Sequence, residues 1–223
     1  MNALLIGCGS KWGLTVLQSL LDAGWNVYSI SGSNPLVHPR LTHLDIDWNT
    51  VDQPTVEKFL RQLPVLDFVF FNQNGSALSY DDFEKQSTLL DTWKLEKNWS
   101  QQYFVSVILP YHIIKTVNTN KRSIVAWMLS TYIYKHTNIT HADYIGNKYQ
   151  NYLIMRNFSR TGTACFCGVN PMELESNLVD PTQFIENIFT IKREELNGSV
   201  VYLNGKSDNN FEMFQEECII KLI

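Results

Sequence analysis

A three-layer α/β/α fold around a doubly wound parallel sheet is the architecture these 223 residues predict, and three observations carry it. Short apolar runs alternate with segments of helical periodicity from one end of the chain to the other. The run from Val65 to Phe71 is apolar on both faces, as a parallel strand must be when helices cover it on each side. No Pro-, Gly- or Ser-rich linker and no internal repeat interrupts the alternation, so residues 1–223 read as one Rossmann-like domain.

The elements follow in order. Ala3 to Ile6 is a short strand, and Gly7, Gly9 and Gly13 come straight after it. Leu14, Leu17, Leu20 and Leu21 then recur at helical spacing until Gly24 supplies a stop. Val27 to Ile30 is a second strand and Leu41 to Ile46 a weaker third. Val56, Phe59, Leu60 and Leu63 stripe a helix that ends at Pro64, before the apolar strand 65–71 and its terminal Asn72-Gln-Asn-Gly75. Beyond a polar stretch, Asn98 to Val117 is a long helix, Ile124 to Leu129 a strand and Tyr144 to Phe158 a helix. Ala164 to Val169 is a strand stopped by Pro171, Pro181 to Leu196 a single helix, and Ser199 to Leu203 the last strand.

Composition narrows the function. Hydrophobic residues at 44% and charged residues at 18% exclude a disordered, collagen-like or coiled-coil chain. A formal charge of -4 without any basic run makes nucleic acid an unexpected partner, because affinity for it comes from clustered cations. No apolar stretch reaches the roughly 18 residues that span a bilayer, and the N-terminus lacks a basic signal region, so no membrane association and a cytoplasmic location are expected. Cys8, Cys165, Cys167 and Cys218 form no CxxC and read as buried reduced thiols, Cys165 and Cys167 on one strand face. The five histidines take no metal-ligand spacing together, so no metal is expected.

Two constellations carry chemistry. Gly7-x-Gly9-x-x-x-Gly13 sits between the first strand and the first helix, where missing side chains and free helix N–H groups let a dinucleotide pyrophosphate approach. A tight packing turn is the plainer alternative. The second is Tyr144-Ile-Gly-Asn-Lys148, four residues apart on one helix face, where an ammonium stabilises a phenolate. At about 5 Å and an effective dielectric of about 20, Coulomb's law gives on the order of 3 kcal/mol, which would bring a tyrosine pKa from about 10 towards 8. The spacing recurs at Tyr111/Lys115 and Tyr202/Lys206, so context must choose. Tyr202 and Lys206 straddle a turn, and Tyr111 follows Pro110 inside the long helix as a half-buried surface residue. Only Tyr144 opens a helix after a strand whose end carries hydroxyls, Ser130 and Thr131.

Taken together these residues resemble the short-chain dehydrogenase/reductase family over nearly the whole chain. Ile6-Gly-Cys-Gly-Ser-Lys-Trp-Gly13 stands where that family has Thr-Gly-x-x-x-Gly-x-Gly, and Asn72-Gln-Asn-Gly75 where it has Asn-Asn-Ala-Gly. Leu129-Ser130-Thr131 looks like its strand-end serine, Tyr144/Lys148 like its catalytic pair, and Asn170-Pro171-Met172 like the Pro-Gly beside the nicotinamide. Asn98 is similar to the helix asparagine that helps hold a proton-relay water, and Asp45 falls where the family contacts adenine. Lys11 replaces the middle glycine and Ile6 the threonine, marking a divergent member with an altered glycine-rich loop.

The resemblance implies an NAD(P)-dependent oxidoreductase that reduces a carbonyl or oxidises an alcohol on a small-molecule substrate. Tyr144 would be the general acid/base, Lys148 its modulator and Asn98 part of the relay. Family spacing selects Thr131 as the orienting hydroxyl and side-chain type selects Ser130; Ser130 is preferred. Gly7, Gly9, Ser10, Lys11, Trp12, Gly13, Ser31, Asp45, Asn72, Gly75 and Pro171, with Tyr144 and Lys148, would hold the cofactor. Ser31 occupies the strand end where NAD-selective members carry an acidic residue, and Lys11 lies nearby, so NADP(H) is expected over NAD(H). A catalytically inactive dinucleotide-binding or regulatory protein of the same fold is the rival. Phe104, Val107, Ile108 and Tyr111 on one helix and Tyr152, Met155 and Phe158 on another point to a homodimer or homotetramer.

Overall fold

The computed structural model describes residues 1–33, 36–73, 100–129, 142–171 and 181–203. Seven strands form one sheet: β1 (Asn2–Ile6), β2 (Asn26–Ser31), β3 (Leu41–Asp45), β4 (Phe68–Phe71), β5 (Ile124–Met128), β6 (Cys165–Pro171) and β7 (Val200–Leu203). Their order is β3-β2-β1-β4-β5-β6-β7, and each neighbouring pair is parallel. The chain starts mid-sheet, winds out through β2 to β3, then returns to the other side of β1 through β4. The order therefore reverses between β1 and β4, and in such sheets ligands bind outside the carboxyl ends of the strands at that reversal.

The helices are α1 (Lys11–Asp22), α2 (Gln53–Leu60), α3 (Leu109–Thr116), α4 (Ala142–Ser159), α5 (Pro181–Thr190) and α6 (Arg193–Leu196). Ser10 caps α1 by accepting the Gly13 N–H at 3.1 Å, and Asp52 caps α2 by accepting the Thr55 N–H at 2.7 Å. Strand alternation divides the core into two layers. Phe68 and Phe70 of β4 pack with Val16, Leu17 and Leu20 of α1 and with Ile185 and Ile188 of α5. Val69 and Phe71 of the same strand face the opposite layer, with Leu60 of α2, Ile113 of α3 and Met155 of α4. All four β4 side chains are buried, each contributing about 1.5–3 kcal/mol, which is why the strand reads as an unbroken apolar run.

Three boundaries differ from the sequence expectation. Residues 65–67 precede β4 instead of opening it; Asp67 accepts the Asn2 N–H at 2.8 Å and Leu66 donates to Asn118 O at 2.9 Å. The helix expected over Pro181 to Leu196 is two helices, because Lys192 adopts ψ 135 and breaks the ladder before α6. The long helix carries a π-helical turn, Phe104–Ile108, between helical residues 100–103 and α3. Cys8, Cys165 and Cys167 are buried and free, with Cys165 and Cys167 in the same core layer, while Cys218 lies outside the described residues. Burial pushes the Cys165 thiol up to about 11 and the Cys167 thiol upward as well. No described helix is long and apolar enough to cross a membrane.

Candidate active site

The carboxyl ends of β1, β2 and β4 converge on the loop that leads into α1. Gly7 turns at φ +81, a left-handed conformation that favours glycine, and donates its N–H to Ile30 O at 2.9 Å. A Cβ there would sit 2.6 Å from both the Cα and the N of Gln73, so the two backbones touch. At Gly13 a Cβ would come within 2.7 Å of Gly7 O and 2.8 Å of Asn72 Nδ2. Asn72, buried at the end of β4, fixes this arrangement by donating from Nδ2 to Gly7 O and to Ser10 Oγ, both at 2.9 Å.

In front of the loop lies a cleft of about 390 Å³, bordered by Gly7, Gly9, Ser10, Gly32, Trp48 and Gln73. The loop fits a dinucleotide pyrophosphate on three counts: a backbone cradle that a side chain at Gly7 would fill, the N-terminal end of α1, and a cleft beside both. Gln73, 6% exposed, borders the same cleft with its Oε1 buried and without a hydrogen-bond partner among the described residues, an acceptor that a ribose hydroxyl, not a phosphate, would satisfy. Ser31 turns inward, donating to Ser33 O at 2.8 Å and lying 3.2 Å from Cys8 Sγ. Its Cα pairs with that of Asp45, which is exposed at the end of β3 on a second cleft of about 510 Å³.

Lys148 sits on α4 with its side chain buried, and its Nζ donates to Met128 O, at the end of β5, at 2.7 Å. Burial lowers its pKa to about 7, because a desolvated ammonium is disfavoured. Asn147 and Asn151 are buried on the same helix, and Asn151 Oδ1 lacks a partner among the described residues. By contrast Tyr111 and Lys115 of α3 are both exposed, as surface residues of a helix.

The structure thus brings Gly7, Gly9, Ser10, Gly13 and Asn72 together, with Ser31 behind the cleft and Asp45 beside it. Lys11 is the first residue of α1, Tyr144 lies in the first turn of α4 and Pro171 ends β6; their side chains fall outside the described set. Trp12 packs its ring 5.9 Å from that of Phe70, against the core under α1. Gly75, Asn98, Ser130 and Thr131 lie outside the described residues. Sequence reasoning passed over Gln73 and Trp48. The signal for Trp48 was a lone aromatic three residues beyond Asp45, at a strand end that faces the glycine loop.

No protein-family model and no curated protein matches the sequence. Solved structures do match in shape. BdcA, solved in complex with NADPH, superposes with a TM-score of 0.72 at 12% identity, covering 92% of this chain and 93% of its own. A 4-hydroxyisoleucine dehydrogenase complexed with NADH and succinate gives 0.70 at 13% identity, covering 91% and 97%. A Serratia marcescens short-chain dehydrogenase/reductase gives 0.65 at 14% identity, covering 92% and 95%. With the parallel seven-stranded sheet and the glycine loop at its reversal point, the chain has the fold of the short-chain dehydrogenases/reductases.

Proposed function

We propose that the protein is a divergent short-chain dehydrogenase/reductase, an NAD(P)-dependent oxidoreductase acting on a carbonyl or alcohol of a small molecule, with Tyr144 as general acid/base. The placement of Lys148 carries this reading: its buried ammonium-bearing end reaches Met128 O at the carboxyl end of β5, one helical turn from Tyr144. A surface Tyr-x-x-x-Lys, such as Tyr111 and Lys115, has no reason to bury its lysine under a strand end. Because burial lowers the Lys148 pKa to about 7, its proton is weakly held and the ammonium gains most from a negative charge nearby. A Tyr144 phenolate supplies that charge, so each group favours the ionised form of the other.

Gly7, Gly9, Ser10 and Gly13 would hold the pyrophosphate, Asn72 would keep their loop in place, and Asp45 with Ser31 lies towards the adenosine half. A nicotinamide dinucleotide, when bound, supplies or takes up the hydride. The solved relatives of this fold include one complexed with NADPH and one with NADH, which supports the cofactor class. NADP(H) is preferred in this reading, since no carboxylate ends β2 and Lys11 opens α1. Ser130 orients the substrate oxygen and Asn98 serves the relay, as their sequence positions suggest.

The test has two arms. Thermal-shift titration with NAD+, NADH, NADP+ and NADPH should show stabilisation, since a ligand at 100 times its Kd adds about 2.7 kcal/mol; Lys11→Ala should narrow an NADPH preference of about five- to tenfold. Across a panel of carbonyl substrates, Tyr144→Phe should abolish turnover with cofactor affinity kept, and Tyr111→Phe should be mild. Equal losses from the two tyrosines would overturn the assignment of the pair.

A further inference from the structure

Trp48 stands between the two clefts. Its ring closes on Gly32, where a Cβ would lie 3.2 Å from the indole Cδ1 and 3.2 Å from Nε1. It borders the cleft of about 390 Å³ on the glycine-loop side and the cleft of about 510 Å³ on the Asp45 side. A half-buried indole with space on two sides is not simply part of the core.

Its backbone is pinned. The turn that presents it is closed by Thr50 N–H to Asp47 O at 3.0 Å and Val51 N–H to Asp47 O at 2.8 Å, and Asp47 also accepts the Asn49 N–H at 2.9 Å. From the other side, Gln101 Nε2 donates to Trp48 O at 2.6 Å. A backbone held in this way presents the indole to a planar partner without the cost of ordering the loop.

The neighbouring strand end offers no carboxylate in exchange, although Ser33 also borders the cleft. Ser31 is committed to Ser33 O and Cys8 Sγ, and Gly32 has no side chain. A Cβ at Gly32 would press the indole back by a few tenths of an ångström, so the ring seats closely because Gly32 has no side chain, while Ser31, where an acidic ribose anchor would stand, brings no carboxylate.

Resting on the dinucleotide reading above, the structure assigns Trp48 as the platform on which the cofactor's adenine ring stacks, in place of a carboxylate that grips the ribose at the end of β2. Aromatic side chains hold nucleobases by stacking because every base has a π-face, and the contact is indifferent to what the ribose carries. Trp48 thus sets affinity for both NADH and NADPH and leaves discrimination between them to other residues.

Calorimetric titration of the full chain with ADP-ribose, which has the adenosine and pyrophosphate but no nicotinamide, tests this without turnover. Trp48→Ala should weaken ADP-ribose binding about tenfold, equivalent to about 1.4 kcal/mol, and Trp48→Phe should stay within about threefold of wild type. A second measurement guards against a misfolded variant. In wild-type protein labelled with 5-fluorotryptophan, the resonance absent from Trp48→Phe should move when 5′-AMP is added. An ADP-ribose Kd changed less than threefold by Trp48→Ala, or a stationary resonance, overturns the assignment and leaves the cofactor reading standing. Wild type that binds neither ADP-ribose nor any nicotinamide cofactor overturns both.

Discussion

The side-chain nitrogen of Asn72 links the end of β4 to the turn after β1 and, through Ser10, to the cap of α1. Removing it leaves Gly7 O without that donor in a crowded place where Gly13 already approaches it closely. Asn72→Ala should therefore cost about 1–3 kcal/mol, the usual range for a buried group deprived of its partner. Asn72→Asp should cost more, because a carboxylate oxygen would face Gly7 O as a second acceptor. Urea denaturation of the three proteins checks this order; equal stability of all three would show that the loop holds itself. Residues of this kind were partly legible. Asn72 announced itself by its place after an apolar strand, whereas Gln73 did not, since an orphaned carbonyl exists only once neighbours are placed.

At the level of elements, α4 breaks the ordinary amphipathic pattern. Its inward face includes Asn147, Lys148 and Asn151 beside Tyr152 and Met155, so polar residues stand where a plain structural helix would put apolar ones. That irregularity buries an ammonium-bearing side chain, and the pH dependence of stability should show it. Lys148 has a folded pKa of about 7 against an ordinary value of 10.5, so between these limits the unfolded chain binds more protons than the folded one. Stability from this residue therefore rises with pH from about 7 to 10.5, with full penalty below the lower limit. Relative to Lys148→Met, wild type should gain about 2 kcal/mol between pH 7 and 9, a slope approaching 1.4 kcal/mol per pH unit. Denaturant unfolding at several pH values measures it; parallel curves would mean that the lysine titrates normally. The strands were read well from sequence because burial on both faces leaves unbroken apolar runs, as in Phe68–Phe71. The break before Arg193 was not, since Ile191 and Lys192 are neither glycine nor proline and the backbone turns there for tertiary reasons.

For the whole molecule, the order β3-β2-β1-β4-β5-β6-β7 brings the ends of β1, β4 and β5 side by side, so Gly7, Asn72 and Met128 share one edge. Alternation of strand and helix foretold that edge, where the glycine loop and Lys148 also stand. Self-association is a proposal on different ground. Val107, Tyr152 and Met155, which suggested it, are buried in the chain's own core, leaving Tyr111 and Leu153 as the exposed large apolar groups of α3 and α4 among the described residues. Tyr111 lies 5.8 Å from Phe158, so the two helices meet at the surface. A homodimer or homotetramer is expected by light scattering at micromolar concentration, dissociating in Tyr111→Glu/Leu153→Glu; a monomeric wild-type mass would overturn it. The π-helical turn at Phe104–Ile108 joins these distant parts. Such a turn amounts to an α-helix with one surplus residue, and each residue advances a helix by about 100°. The surplus sets the phase of everything upstream: Gln101 is aimed at the Trp48 carbonyl and Tyr103 at Gln150 of α4, 2.8 Å away. Excising one residue there would turn both side chains about a quarter of the way round the helix, so a single-codon deletion would slacken the cleft and the lysine helix at once.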